Sequence, residues 1–235
     1  MKWNTAISTH RDGELSIRGT SLSTLMRERT FSEVAFLLFS ERLPDEKESR
    51  LFDAMLVACA EHGVEAPSAF SARVSASVGN PLHVAAAAGI LATGDYHGGA
   101  IEEAAELFST KTTVADVLAS GKRFPGFGHK LYKDVDPRAE LLFTLAEELG
   151  LSGDYVAHAK SIRDELARTS GKTLPINIDG ALAALLLELK LTPRLGKVLF
   201  AFARMPGMIA HILEEVQNEK PYRRLESEDV TYTGN

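Results

Sequence analysis

The sequence predicts an all-α fold, and three observations carry that prediction. Apolar residues recur at helical spacing in nearly every segment after the first twenty residues. Strand-like alternation is hard to find anywhere, and glycine and proline clusters cut the pattern into segments of ordinary helix length. With 235 residues, 45% of them hydrophobic and 25% charged, the chain can bury one substantial core or divide into two lobes.

Taken in order, Thr30 and Glu33 form a capping-box pattern ahead of the apolar segment Val34 to Phe39, which Pro44 closes. Asp45 starts a helix with Leu51, Phe52, Met55, Leu56 and Cys59 on one face, and Gly63 ends it. Ser68 to Val78 and Leu82 to Thr93 follow, parted by Gly79-Asn80-Pro81, and the run Ala85 to Ala88 offers a small-residue surface for close packing. Gly94 to Gly99 interrupts the helical pattern. Helices from about Gly99 to Phe108 and near Val114 to Ala119 lead into a glycine-rich loop. Asp136 as N-cap and Pro137 at the first helical position launch Arg138 to Leu149, with Leu141, Leu142, Leu145 and Leu149 as its core face and Gly150 as its stop. Asp154 to Ala167 is amphipathic and Gly171 to Ile178 is extended. Ala181 to Leu189, Pro193 to Ala203 and Met208 to Gln217 are helical, and the charged tail after Lys220 is irregular.

Composition narrows the functional classes. The longest apolar runs, such as Val34 to Phe39 and Ala181 to Leu187, fall short of the ~18–20 residues a bilayer requires, and Met1-Lys2-Trp3-Asn4 does not read as a signal peptide. No membrane or export role is expected. Cys59 is the single cysteine, so it reads as a small core residue, and a cytoplasmic setting is expected. A net charge of −6 argues against a nucleic-acid partner, which a basic face would serve. An anionic ligand therefore needs a local cluster of Arg, Lys and His.

Three polar stretches supply such clusters where helices begin or end. They are Gly94-Asp95-Tyr96-His97-Gly98-Gly99, Pro125-Gly126-Phe127-Gly128-His129 running on to Asp136-Pro137-Arg138, and Ile176-Asn177-Ile178-Asp179-Gly180. Glycines 126 and 128 allow positive φ or a close backbone approach to a ligand. His129 can move a proton near neutral pH, and Arg138 can grip a carboxylate with two parallel hydrogen bonds. His97 precedes a helix N-terminus, whose dipole favours the neutral ring, a form suited to donating to a developing oxyanion. Asp179 between apolar neighbours would be partly desolvated, a setting expected to suit a working acid or base. Together these groups suit proton abstraction beside a carbonyl. Each has a plainer reading: His97 as a turn residue, Asp179 as an N-cap, His62 as a cation at a helix C-terminus, and Arg204, Arg223 and Arg224 as solvated charges. No His-x-x-x-His or Cys-His spacing occurs, so no metal is expected.

The order of these pieces resembles the citrate synthase superfamily. That order is His62, Phe70-Ser71-Ala72-Arg73-Val74, His97-Gly98-Gly99-Ala100, the loop with His129, Asp136-Pro137-Arg138, Asn177-Ile178-Asp179, then Phe202-Ala203-Arg204 through Ala210-His211-Ile212-Leu213-Glu214. The likeness runs from Ile17-Arg18-Gly19, Phe31-Ser32-Glu33 and Leu43-Pro44 to Tyr232-Thr233-Gly234. It implies a two-lobe helical fold with a reduced large domain. Residues 1–97 plus 187–235 would form the large, dimerising domain, and 98–186 a small CoA-binding domain.

The resemblance also implies chemical roles. His97, His129 and Asp179 would be catalytic: Asp179 shuttles the α-proton of an acetyl thioester, His97 stabilises the enol or enolate, and His129 exchanges a proton with the oxygen on the oxaloacetate carbon. His62, Arg138, Arg204 and one of Arg223 or Arg224, with Arg223 favoured by counting back from Tyr232, would hold substrate carboxylates. The last arginine comes from the partner subunit in the family, so a homodimer with a shared active site is implied. Coenzyme A, as part of the substrate and not as a tightly bound cofactor, would lie along Pro125, Gly126, Phe127 and Gly128, with Lys130, Lys133 and Lys172 near its phosphates.

Only Asp45 to Glu61 fills the interval where full-length synthases carry a long helical segment. His97-Gly98-Gly99-Ala100-Ile101-Glu102 lacks the asparagine usual after alanine, and Asn177-Ile178-Asp179-Gly180-Ala181-Leu182 looks like the lyase version. The sequence thus resembles citryl-CoA lyase and the C-terminal module of ATP-citrate lyase. The alternatives are a compact citrate or 2-methylcitrate synthase, and a non-catalytic acyl-CoA-binding subunit. Partners implied are an acyl-CoA, a di- or tricarboxylate and, outside this chain, a citryl-CoA-forming ligase.

Overall fold

The computed structural model describes residues 2–11, 13–171 and 173–234. A small antiparallel sheet comes first: β1 (Ser8–Arg11), β2 (Glu14–Ile17) and β3 (Thr20–Ser21), with Ser8 opposite Ile17 and Ile17 opposite Thr20. These strands depart from the expectation of a strand-free chain. Every residue of β1 is exposed, so no buried face imposes the alternation by which a strand is recognised. Arg18 and Gly19, at φ 48° and 83°, make the tight turn between β2 and β3.

Eleven α-helices follow among the described residues. α1 (Leu22–Glu28) is capped by Ser21, and α2 (Phe31–Ser40) has the expected capping box, with Thr30 and Glu33 satisfying each other's backbone N–H. α3 (Glu46–Cys59) buries Leu51, Phe52, Met55 and Cys59, and the Phe52 ring meets Phe36 edge-on at 5.2 Å. Then come α4 (Pro67–Ser77), α5 (Leu82–Leu91), α6 (Ala100–Ser109) and α7 (Val114–Ala119). The remainder are α8 (Pro137–Glu148), α9 (Asp154–Ser170), α10 (Ile178–Glu188) and α11 (Leu195–Asn218).

Two compact units emerge: residues up to Ala58 with Gly99–Leu199, and Cys59–Gly98 with the chain from Phe200 onward. In the first, α10 packs against α6, α8 and α9, and every residue from Gly180 to Leu187 is buried. A helix apolar on all sides belongs inside, and each of its leucines contributes roughly 1.5–3 kcal/mol by leaving water. Glu188 at its end accepts from the N–H groups of Gly153, Tyr155 and Val156 at 2.8–3.0 Å, capping α9, whose own N-cap glycine has no side chain to do so. In the second unit, α4 and α5 meet through Ala72, Ala76, Ala85 and Ala86, with Ile212 packed on them.

Two helix expectations are corrected. The core face of α8 is Ala139, Leu142, Phe143 and Ala146, an i, i+3, i+4, i+7 stripe, while Leu141 is 69% exposed. The segments Pro193 to Ala203 and Met208 to Gln217 are one helix, α11, with Pro206 inside it. Proline in a helix interior costs about 3 kcal/mol. Packing offsets it here, because Ala203, Met208 and Ile212 are buried on either side and Gly207 lets the helix lie against the Ala60 carbonyl. The merged helix is long and apolar enough to cross a membrane by length and composition. It nevertheless buries Arg204 and Glu215 among its apolar residues, as the core helix of a globular protein does.

Candidate active site

In the first unit the glycine loop is sewn to the start of α10 by backbone. Gly128 N–H donates to Pro175 O at 2.8 Å, and Asn177 N–H donates to Gly126 O at 3.0 Å. Gly126, at φ 85°, leaves no room for a side chain, since a Cβ there would lie 2.7 Å from the Gly180 Cα. Asn177 completes the seam. Its Nδ2 donates to Gly128 O at 2.9 Å, and its Oδ1 accepts from the N–H groups of Asp179 and Gly180 at 3.0 and 3.2 Å. Asn177 is therefore the N-cap of α10, which corrects the plainer reading of Asp179 as the cap. Asp179 stands in the first turn instead, close enough to Arg138 to help hold that guanidinium protonated.

His129 is oriented by its own loop. Its Nδ1 accepts from the N–H groups of Leu131 and Tyr132 at 3.1 and 3.2 Å, and its ring stacks on Tyr132 with centroids 4.7 Å apart. Two donors on Nδ1 place the proton of the neutral ring on Nε2. Arg138 Nη2 lies 3.5 Å from that nitrogen; both carry N–H, so they do not bond each other and can donate together to an oxygen acceptor. Asp136 grips Arg138 from behind through Nε at 3.0 Å and Nη2 at 2.8 Å.

Beside this loop is a cavity of about 620 Å³ walled by Leu118, Phe127, Leu166 and Leu174, with Gly128, His129 and Lys130 along it. Phe127 is braced edge-on by Phe124 at 5.5 Å and Phe108 at 6.3 Å. Of the residues expected along coenzyme A, Phe127, Gly128 and Lys130 line the cavity, Gly126 belongs to the seam, and Pro125 is in neither. Lys133 folds back to donate to Lys130 O at 2.8 Å, and Lys172 lies outside the described residues. Lys122 and Arg123 also line the cavity and were missed. Their signal in the sequence is a basic pair directly after Gly121 and three residues short of the glycine loop.

The second unit holds the other candidates. His97 sits in the turn before α6, its backbone paired with Gly94, its Nε2 2.9 Å from the Oγ of buried Ser68 and its ring edge-on to Phe200 at 5.2 Å. Burial, and then the charges of Arg204 and His62, pull its pKa below the ordinary imidazole value. The neutral ring expected of a helix N-terminus is thus favoured by desolvation and neighbouring cations. Arg204 is 4% exposed, donates through Nε to the Cys59 carbonyl and lies over the same Phe200 ring at 4.8 Å. His62 is on the exposed loop after α3.

Arg223 belongs to a separate network. Its N–H donates to Ser77 Oγ at 3.1 Å and its Nε to Glu215 at 2.8 Å, while Glu215, 1% exposed, also receives Arg73 Nε at 2.7 Å. Arg224 lies at the surface, lining a cavity of about 820 Å³ with Phe70, Val74 and Tyr222.

The chain matches the family described as citrate synthase, C-terminal domain, over residues 43–225. It is 35% identical over 198 residues to a citrate synthase of Synechocystis sp., an alignment covering 79% of this chain and 50% of that protein. The chain thus spans about half the length of the curated relatives it matches. Among solved structures, citryl-CoA lyase from Hydrogenobacter thermophilus superposes with a TM-score of 0.95 at 42% identity, covering 99% of this chain and 95% of that one. ATP citrate lyase from Methanothrix soehngenii, in complex with citrate and coenzyme A, superposes at 0.86 with 26% identity, over 100% of this chain and 42% of that one. With one family spanning most of its length and the same helical fold in these structures, the chain belongs to the citrate synthase family.

Proposed function

We propose that this chain is a citryl-CoA lyase, cleaving citryl-CoA to acetyl-CoA and oxaloacetate. One observation carries the choice within the family: the chain superposes on a solved citryl-CoA lyase with a TM-score of 0.95 at 42% identity, against 35% identity to the Synechocystis citrate synthase.

His129 exchanges its proton with substrate oxygen through Nε2, because Nδ1 is held by two backbone amides. In cleavage Nε2 takes the hydroxyl proton once the ring's own proton has passed to Nδ1 and the Leu131 and Tyr132 amides have released that nitrogen, and the ring becomes an imidazolium. The carbon–carbon bond then breaks, its electron pair passing to the enolate of the acetyl thioester. His97, neutral and buried, donates to that oxyanion, and Asp179 returns a proton to carbon. Arg138, Arg204 and His62 hold the carboxylates, with Arg223 supplied by a second copy of the chain. The cavity beside the glycine loop takes the coenzyme A portion, its cations meeting phosphate and its leucines meeting the apolar stem. Positioning and preorganised charge supply the acceleration.

The test is to offer citryl-CoA alone and follow oxaloacetate by coupled reduction. The identity to citrate synthases favours a second reading, a compact citrate or 2-methylcitrate synthase. Sustained stoichiometric thiol release from acetyl-CoA and oxaloacetate, with citrate formed, selects that reading and discards the lyase.

A further inference from the structure

We propose that Asp136 is a positioning residue, a buried carboxylate that locks the Arg138 guanidinium and the first turn of α10 into one register. The inference rests on the reading of Arg138 as a carboxylate ligand and of Asp179 as the proton carrier. Asp136 is 1% exposed and accepts four hydrogen bonds. Oδ1 takes Arg138 N–H at 3.1 Å and Arg138 Nε at 3.0 Å, and Oδ2 takes Arg138 Nη2 at 2.8 Å and Ile178 N–H at 3.1 Å.

Capping α8 requires only the first of these bonds. The other three reach the guanidinium and the residue next to Asp179, so they exceed what a helix start needs. A carboxylate offers about four acceptor positions, and all are used. Burying an ion pair is weak evidence for stability, because apolar packing of the same volume often does as well. What this pair fixes is geometry. Oδ2 serves Arg138 and Ile178 at once, so a shift of the guanidinium relative to α10 breaks one bond or the other.

Burial works to raise the Asp136 pKa, but hydrogen bonds from the Arg138 side chain and backbone outweigh it and keep the carboxyl below its ordinary range. The group is therefore an anion throughout the neutral range. Asp136→Asn preserves its shape, yet an amide must turn N–H towards either Arg138 or Ile178, and both already donate.

The experiment is a double-mutant cycle read by calorimetric oxaloacetate binding in the full chain. Asp136→Asn should weaken binding about tenfold and Arg138→Ala about a hundredfold, with the double variant within twofold of Arg138→Ala alone. Wild-type affinity in Asp136→Asn, or losses that multiply in the double variant, overturns the proposal; a merely structural role would multiply. Hydrogen exchange provides a second arm independent of ligand. The Arg138 Nε–H and Ile178 N–H should be protected in the wild type and lose protection at least tenfold in Asp136→Asn. Exposed-group exchange rates in the wild type overturn the lock even if the variant fails to fold. If the wild type neither binds oxaloacetate nor cleaves citryl-CoA, the functional reading fails, and the exchange arm still decides whether the lock exists.

Discussion

The two clusters of candidate residues are ordered by opposite means. In the first unit His129 and Asp179 are held by hydrogen bonds: two amides on one imidazole nitrogen, a seam of backbone bonds between the glycine loop and α10, and Asn177 bridging both. In the second, the His97 ring is hydrogen-bonded to Ser68 and is tuned by burial and by the cations Arg204 and His62. The difference teaches where each cluster is vulnerable. A cluster set by bonds responds to changes of geometry, and a cluster set by desolvation responds to changes of charge.

The largest effect should come from the bonded cluster. Asp179→Asn is expected to lower kcat about 10²–10⁴-fold, the usual contribution of an acid–base group and equivalent to about 3–5 kcal/mol of barrier. Its melting temperature should barely move, because Asn177 carries the cap. A large loss of Tm with turnover intact would make Asp179 part of the scaffold and break the comparison on that side.

The second unit also has a bonded element, and it provides the next effect. Glu215→Gln removes a buried carboxylate from between Arg73 and Arg223, and breaking such a pair costs about 3–5 kcal/mol. Urea unfolding at pH 7 measures it. Burial works to raise the Glu215 pKa, but Arg223 and Arg73 outweigh it and hold the carboxyl below its ordinary value. Its stabilisation is therefore present above the ordinary carboxylate range and lost as pH falls through its folded pKa, so the gap between wild type and variant should close on acidification. A gap that stays constant on acidification would mean that the network stabilises by packing and not by charge.

What could be read from the sequence was what short-range chemistry determines. The capping box at Thr30 and Glu33 and the Asp136-Pro137 helix start lie within a few residues of what they control, and the structure has them where they were expected. The three polar stretches stood out because each breaks an apolar pattern. Asn177 and Asp179 are both able caps two residues apart, and only coordinates show which oxygen reaches the N–H groups. The close approach of α11 at Gly207 to the Ala60 carbonyl joins residues far apart in the chain, and the pairing of Arg73 with Glu215 spans 142 positions. Periodicity carries no trace of either. Lys122 and Arg123 were visible as charges, but the cavity they border has walls from Leu166 and Leu174, which no local pattern connects to them.

That cavity sharpens the comparison at smaller scale. Lys122 and Arg123 are exposed cations at its edge, so a double alanine variant should raise KM for the thioester about tenfold, worth about 1.4 kcal/mol, and leave kcat unchanged. Dephospho-coenzyme A thioesters report which phosphate is involved, because a substrate lacking it should be indifferent to the variant. An unchanged KM for both substrates would remove these cations from the binding surface.

The smallest effect tests the second cluster directly. His97 titrates below the ordinary imidazole value of 6.5 in the folded chain, through burial first and the charges of Arg204 and His62 after it. Unfolded, it titrates near 6.5. Between those two values the unfolded chain binds a proton that the folded chain refuses, so stability must rise with pH across that window. The His97 contribution is thus complete above about pH 6.5 and declines as the solution is acidified towards the folded pKa. His158, lowered by burial and then by Lys111, slopes the same way and has to be separated from it. Urea midpoints from pH 5 to 8 for the wild type, His97→Gln and His158→Gln make that separation. Removing His97 should flatten the dependence by an amount that His158→Gln does not reproduce. If the His97→Gln curve parallels the wild type, desolvation is not what sets the state of this imidazole, and the contrast between a bonded cluster and an electrostatic one fails.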